Sequence, residues 1–269
     1  AALDLASVGA MPDDVVTCTA SVVDSDGASA SDSSTATVEN RTPSISGTAI
    51  TPSAGVTTGT ALTCSATVSD DDGESPTISY EWQVGSNTYT GDSLSLDNTM
   101  VSPGDTISCT VSAEDGYGET ASDSASVTVE NSDPVLSDVS ITPDTNVNST
   151  TLLTCGYTAS DDDGDTPTAS YVWSNLSTGI NYASTTSTVQ LTPSDTAPND
   201  VVQCAVTVTD ADGGSASLSD LVTISNMDPT FSISATITAS GTQVGDTLTC
   251  FASGADQDDG TLTPTYAWE

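Results

Sequence analysis

The sequence has almost no basic side chains. It contains no histidine, and one basic residue, Arg41, stands against 38 acidic residues, which gives a formal net charge of −37. Such a polyanion cannot neutralise phosphate groups, so nucleic acid is excluded as a partner. The sequence contains no lysine either, and it offers no nucleophile paired with a base. We therefore predict that the chain is not an enzyme.

Long hydrophobic runs and aromatic residues are also scarce. No stretch of about 20 apolar residues occurs, so no membrane span is expected in this segment. Aromatic residues make up 4% of the sequence, which predicts small hydrophobic cores. The apolar residues that are present alternate with polar ones, as in Leu62, Cys64, Ala66 and Val68. This alternation is typical of half-buried β-strands and argues against the disorder that high acidity often indicates.

The chain repeats itself with a period of 91 to 95 residues, which separate Trp82 from Trp173 and Trp173 from Trp268. A fixed period of this size indicates a string of similar domains. Short linkers containing proline join them and are expected to be stiff. We predict the C-terminal half of a domain over 1–40, complete domains over 41–131 and 132–226, and the N-terminal half of a domain over 227–269.

Six cysteines occur at intervals of 45 to 49 residues, one pair per repeat. The sequence has no closely spaced cysteine pairs and no histidine, so disulfides are favoured over a metal site. Disulfides indicate an oxidising, extracellular or cell-surface location. Cys18 and Cys250 fall in the half repeats and are predicted to be unpaired in the chain or paired with another copy. The predicted disulfide cysteines of the whole repeats are Cys64, Cys109, Cys155 and Cys204.

Each whole repeat places a tryptophan 18 residues after its first cysteine, and the third repeat begins in the same way. Asp161–Asp165 forms an acidic loop, Pro103–Asp105 forms a Pro-Gly-Asp turn before Cys109, and the linkers read Asn-x-x-Pro. This pattern resembles the tandem immunoglobulin-like or polycystic-kidney-disease-type (cadherin-like) repeats of giant bacterial and archaeal surface proteins. Antibody-type domains have tyrosine two residues before the second cysteine, whereas this chain has Ile107 and Val202 there. A close relative from animal immunity is therefore not expected.

The resemblance implies an all-β fold of tandem, seven-stranded, immunoglobulin-like sandwiches with one disulfide per domain. In such a domain the disulfide joins the two sheets, and a tryptophan packs on it. The tryptophans expected in the cores are Trp82, Trp173 and Trp268.

The same resemblance places the acidic loops of each domain at the end where the preceding linker arrives. Calcium prefers six to eight oxygen ligands, which these loops could supply, and the arrangement resembles cadherin-type interdomain calcium sites. The alternative is that Asp-Gly loops are ordinary turns on an acidic protein. The candidate ligands are Asp70, Asp71, Asp72 and Asp115 with Glu39 and Asn40; Asp161, Asp162, Asp163, Asp210 and Asp212 with Glu130, Asn131 and Asp133; and Asp256, Asp258 and Asp259 with Asn226 and Asp228.

Three sequons, at Asn40, Asn148 and Asn175, are candidate glycosylation sites, and a glycan would mark an exposed position.

The predicted function is that of a structural segment of an extracellular filament, stalk or surface fibre. Its half-domains would be completed head to tail by adjoining copies or by the continuing chain. The alternative is an adhesin arm that binds glycans or other cells through loop tips, for which Tyr117 is the candidate aromatic.

Overall fold

The computed structural model describes all residues from Ala1 to Glu269. The chain divides into two compact units, Ala1–Asn131 and Ser132–Glu269. A single 3-10 turn over Ala6–Val8 is the only helical element, and the remaining regular structure is β-strand. No helix has the length and apolar character needed to cross a membrane. The prediction of an all-β fold is confirmed.

The first unit contains nine strands, which form three antiparallel sheets. The strands are β1 (Val15–Val23), β2 (Ser29–Thr37), β3 (Ser44–Thr51), β4 (Ala61–Ser69), β5 (Thr77–Val84), β6 (Asn87–Thr90), β7 (Ser93–Ser95), β8 (Thr106–Glu114) and β9 (Thr120–Thr128). The first two strands pair as an isolated hairpin. The others form a three-stranded sheet of order β3-β4-β7 and a four-stranded sheet of order β6-β5-β8-β9.

The second unit repeats this sandwich and adds one further sheet. Its strands are β10 (Val135–Thr142), β11 (Leu152–Ser160), β12 (Thr168–Asn175), β13 (Ile180–Asn181), β14 (Thr188–Gln190), β15 (Val201–Thr209), β16 (Ser215–Thr223), β17 (Thr230–Ala239), β18 (Leu248–Asp256) and β19 (Gly260–Leu262). The sandwich pairs a sheet of order β10-β11-β14 with one of order β13-β12-β15-β16. Strands β17, β18 and β19 form a separate sheet of that order, which follows the sandwich in the sequence.

A disulfide joins the two sheets of each sandwich. Cys64–Cys109 connects β4 to β8, and Cys155–Cys204 connects β11 to β15. Trp82 lies directly opposite Cys109 in the strand register, and both side chains are fully buried. Trp173 lies opposite Cys204 in the same way. Both sandwiches are therefore immunoglobulin-like, as the sequence pattern predicts.

The buried tryptophans keep their polar atoms satisfied. The indole nitrogen of Trp82 donates a hydrogen bond of 2.9 Å to the carbonyl oxygen of Gly91, and that of Trp173 donates one of 3.0 Å to Thr186. Because a buried donor without a partner is costly, these bonds let the largest apolar side chains lie at the centre of the cores.

The two half repeats form open sheets without a facing sheet in this chain. No residue of β1 or β2 is buried. Trp268, which the sequence places in a core, is instead 56% exposed. The reason is that residues 264–269 form no strand, so Trp268 lacks the strand partner that Trp82 has in β8.

Asn175 occupies the position in β12 that the buried Val84 occupies in β5. It is fully buried, and its amide nitrogen donates hydrogen bonds to the carbonyl oxygen of Asp195 and to Oδ2 of Asp200, at 3.0 and 2.7 Å. A glycan at Asn175 is therefore incompatible with the fold, and the prediction for this sequon is wrong. A sequence motif does not reveal that its asparagine points into a core.

Candidate metal centre

Two loops of the first sandwich bring three carboxylates together. Asp70 and Glu74 lie in the loop after β4, and Asp115 lies at the start of the loop after β8. The disulfide between these two strands holds the loops at one end of the sandwich. One carboxylate oxygen from each of the three residues lies within 4.8 Å of the other two.

Several buried oxygens around this cluster have no hydrogen-bond donor. They are Oδ2 of Asp70, Oε2 of Glu74 and Oδ1 of Asn40. A buried acceptor without a donor is costly, and neighbouring carboxylates repel one another. A divalent cation with oxygen preference removes both penalties at once. The residues present therefore fit a calcium ion.

The ionisation of the cluster is set by its surroundings. The side-chain amide of Asn40 donates to Oδ2 of Asp115 at 2.9 Å, and this bond is the main reason why the pKa of Asp115 is lowered. Backbone N–H groups of Tyr117 and Glu119 donate to its Oδ1. Burial, followed by the nearby charges of Asp115 and Asp70, raises the pKa of Glu74. The cluster thus combines one carboxylate whose pKa is lowered with one whose pKa is raised.

The aspartate at the third position of each acidic loop binds the linker instead. Asp72, Asp163 and Asp258 each accept a 2.7 Å hydrogen bond from the backbone N–H of a linker residue. The donors are Arg41, Ser132 and Met227, each of which directly follows the linker asparagine. These carboxylates fix the linker where it enters the domain.

Other predicted ligands of the first set lie outside the cluster. Asp71 is 82% exposed and stands 3.7 Å from the guanidinium of Arg41, and such exposed ion pairs contribute about 1 kcal/mol or less. Glu39 is exposed and lines an open groove together with Asp4 and Asp72. Asp71 and Glu39 are thus less well placed than Asp70 and Asp115 to bind a metal ion in the cluster.

The second set is arranged less tightly than the first. Asp210 is 8% exposed and accepts backbone hydrogen bonds from Asp212, Gly213 and Gly214. Asp161 has a buried oxygen, Oδ2, without a hydrogen-bond partner, and burial followed by the charge of Asp163 raises its pKa. Only Asp70, Glu74 and Asp115 bring three carboxylate oxygens within 4.8 Å of one another.

The remaining candidates of the second and third sets are more exposed. Asp162 and Asp212 are exposed, as are the linker residues Glu130, Asp133, Asn226 and Asp228, whereas Asn131, the last residue of the first unit, is half-buried. In the third set Asp256 is 9% exposed and accepts hydrogen bonds from the N–H groups of Asp258 and Asp259. Asp259 itself is exposed. Ligand roles for both sets stay predictions.

Glu74 was not among the ligands predicted from sequence. A signal for it exists, because the fifth position of the acidic loop is occupied by Glu74 in the first sandwich and by Asp165 in the second. The third repeat has Gly260 at this position. Aligning the repeats on their tryptophans therefore predicts that the first two loops supply one carboxylate more than the third.

The two other sequons differ in their surroundings. The amide nitrogen of Asn40, where a glycan would be attached, donates to Asp115 in the carboxylate cluster. Asn148 is half-buried, and its Oδ1 accepts hydrogen bonds from the N–H and the hydroxyl of Thr150. Its amide nitrogen is thus the better placed of the two for modification.

No protein-family model matches this chain, and no curated protein matches it. Solved structures with similar folds do exist. A Ca²⁺-stabilised adhesin that helps an Antarctic bacterium reach out and bind ice is 17% identical, with 78% of this chain and 56% of that chain covered and a TM-score of 0.27. Immunoglobulin domains 1–5 of Sidekick-1 are 15% identical, with coverages of 90% and 55% and a TM-score of 0.35.

Extracellular cadherin domains 3–6 of protocadherin gamma B2 are 12% identical, with coverages of 85% and 61% and a TM-score of 0.29. This chain spans about half the length of the adhesin and Sidekick-1 structures, at 56% and 55%. The similarities concern the type of fold. At TM-scores of this size they indicate neither a ligand nor a partner for this chain.

Proposed function

We propose that this chain is a structural segment of an extracellular filament, stalk or surface fibre built from tandem sandwiches. Its two open sheets are completed head to tail by a neighbouring half-domain, supplied by another copy or by the continuing chain. The observation that carries the proposal is that residues buried in the whole sandwiches are exposed at the same positions of both open sheets. Exposed apolar faces and free sheet edges are unfavourable in water, so a partner is expected to cover them.

The sheet of β17, β18 and β19 shows this most clearly. Ile237 lies opposite Cys250, as Ile50 lies opposite Cys64. Ile50 is 4% exposed, whereas Ile237 is 61% exposed. Leu248 is likewise 45% exposed at a position where the first sandwich has a buried leucine. Strands β17 and β18 therefore correspond to β3 and β4, the first two strands of a sandwich.

The hairpin of β1 and β2 supplies the complementary part. Cys18 is an exposed free thiol at the position of the fully buried Cys109. Val22, four residues after Cys18, is 69% exposed, whereas the equivalent Ala113 is 1% exposed. Cys250, the other free cysteine, occupies the position of Cys64. Docking the hairpin on a neighbour's β17–β19 sheet would bring Cys18 next to Cys250 as a disulfide pair.

The first test of this proposal is mass analysis of the native assembly with and without reduction, combined with disulfide mapping. The expected result is that Cys18 and Cys250 are both oxidised. A peptide that links Cys18 of one copy to Cys250 of another indicates exchange between copies. Disulfides to cysteines outside this sequence indicate a longer chain. Free thiols at both positions in the native assembly would overturn the proposal.

We further propose that Asp70, Glu74 and Asp115, with the side-chain oxygen of Asn40, bind Ca²⁺. Asp70 and Glu74 lie in one loop, Asp115 lies in the other, and Asn40 lies in the linker just before Arg41. When bound, the ion would join the incoming linker to the sandwich, because Asn40 belongs to the linker and already contacts Asp115. Bound calcium would thus limit the freedom of the chain where one repeat meets the next.

Calcium should stabilise the first sandwich against unfolding. A ligand at 100 times its Kd that binds only the folded state adds about 2.7 kcal/mol, so thermal unfolding of the full chain should move upward with Ca²⁺ relative to a chelator. Ionic strength must be matched with NaCl, since any salt screens the repulsion among 38 acidic residues. Glu74→Gln should reduce the shift strongly.

Asp71→Asn is the matched control, because it removes the same charge from an exposed position of the same loop. It should leave the calcium response nearly unchanged. Equal responses of the two variants would show that calcium acts only by general screening. In that case the oxygens of the cluster would not bind the ion.

A further inference from the structure

The junction that follows the second sandwich contains a clamp made of hydrogen bonds between protein groups. Asp258, in the loop after β18, accepts a hydrogen bond from the backbone N–H of Met227 at 2.7 Å through Oδ2. Its other oxygen, Oδ1, accepts a hydrogen bond from the hydroxyl of Ser149. Ser149 belongs to the preceding sandwich and is fully buried. One carboxylate therefore holds the preceding sandwich and the linker together.

The linker is also attached to the preceding sandwich at its other end. The backbone N–H of Ser225 donates a 2.6 Å hydrogen bond to the carbonyl oxygen of Val147. Val147 and Ser149 lie in the loop between β10 and β11, and Val147 is part of the hydrophobic core. The loop at 147–149, the linker at 225–227 and Asp258 thus form one continuous set of hydrogen bonds.

We infer that this loop of a sandwich is a docking site for the acidic loop of the next repeat, and that Asp258 is a positioning residue which fixes the junction without calcium. Both of its oxygens are engaged by neutral donors, and such hydrogen bonds to a charged group are stronger than ordinary ones. The inference goes beyond the calcium proposal, because it assigns the aspartate at the third position of the loop to a neighbouring repeat rather than to the ion.

Part of the clamp recurs in the other repeats. Asp72 accepts from the N–H of Arg41, and Asp163 accepts from the N–H of Ser132, both at 2.7 Å. Residues 1–40 contain no loop equivalent to 147–149, so within the first unit Asp72 holds only the linker. The first sandwich has its own loop of this kind, and its Val56 carbonyl oxygen accepts from the N–H of Glu130 at 2.6 Å. The bonds that attach each linker thus recur, whereas the bond from a sandwich loop to the next acidic loop is that of Ser149 and Asp258.

Hydrogen exchange of the Met227 amide, followed by NMR on the full chain in the presence of a calcium chelator, tests the clamp. In the native chain this amide should exchange slowly. Asp258→Ala removes both acceptors and should speed its exchange by about tenfold or more. The matched control, Asp259→Ala, removes the same charge from the exposed neighbouring residue and should leave the rate unchanged.

The amide of Cys204, in the middle of β15, serves as an internal reference for intact folding. If Asp258→Ala also speeds exchange of the Cys204 amide, that variant has disturbed the fold, and Ser149→Ala is used as the test instead. This change removes one donor to Asp258 and leaves the bond from the Met227 N–H in place. It should speed Met227 exchange by about threefold, since the carboxylate loses one of its two anchors. Slow exchange of Met227 only in the presence of calcium, or equal rates in the two aspartate variants, would overturn the inference.

Discussion

Replacing Cys64 and Cys109 together by alanine should lower the free energy of unfolding of the first sandwich by about 4 kcal/mol. The disulfide closes a loop with a sequence separation of 45 residues. In the chain-entropy account, a cross-link of this length stabilises mainly by restricting the unfolded chain. The loss is large beside the total stability of about 5–15 kcal/mol that is usual for a domain.

Calorimetry of the full chain should then show the first sandwich unfolding at a much lower temperature, while the second, which keeps Cys155–Cys204, unfolds as before. The core residues of the two sandwiches form separate clusters, so this independence is expected. Cys18→Ala is the matched control, because that thiol is free and exposed. A loss below about 1 kcal/mol for the double variant would mean that the packed core alone holds the sandwich.

The parts of the fold that depend on spacing could be predicted from the sequence. The interval between cysteines and the tryptophan between them specify which strands face each other, and Cys64, Cys109 and Trp82 lie where this pattern requires. The short strands β6 and β13 could not be located in this way. Neither carries a repeated buried residue, and each is fixed by pairing with the neighbouring strand.

The candidate site could be predicted only in outline. The acidic loops and the linker asparagine were recognisable because they repeat, but acidity alone does not separate ligands from other carboxylates. Asp70, Asp71 and Asp72 are adjacent in sequence, yet one belongs to the carboxylate cluster, one is 82% exposed and one holds the linker. Successive residues of a tight turn point in different directions, so their roles become visible only with the backbone in place.

Trp268 is exposed in the separate chain for a related reason. Its spacing from Cys250 is that of the other tryptophans, and the sequence pattern therefore places it in a core. In the structure β18 pairs with β19, and the hydroxyl of Tyr266 accepts a 3.0 Å hydrogen bond from the N–H of Ala252. The segment after β19 thus contacts β18, whereas the equivalent strand β5 of the first sandwich pairs with β8 in the facing sheet.

Comparison of two tryptophan variants should separate folding from assembly. Trp173→Ala removes a fully buried side chain and should destabilise the second sandwich by about 3–5 kcal/mol. Trp268→Ala changes a side chain that is 56% exposed, and changes of this kind usually stay within about 0.5 kcal/mol. In an assembled filament, however, Trp268 should lie opposite Cys18 of the neighbouring half-domain, as Trp173 lies opposite Cys204.

Denaturant unfolding of the separate chain measures the first effect, and the yield of Cys18–Cys250 disulfide under oxidising conditions measures the second. Trp268→Ala should therefore leave the separate chain stable and sharply reduce the disulfide-linked species. An unchanged yield would show that residues 264–269 take no part in completing a sandwich, and a stability loss equal to that of Trp173→Ala would show that Trp268 already belongs to a core.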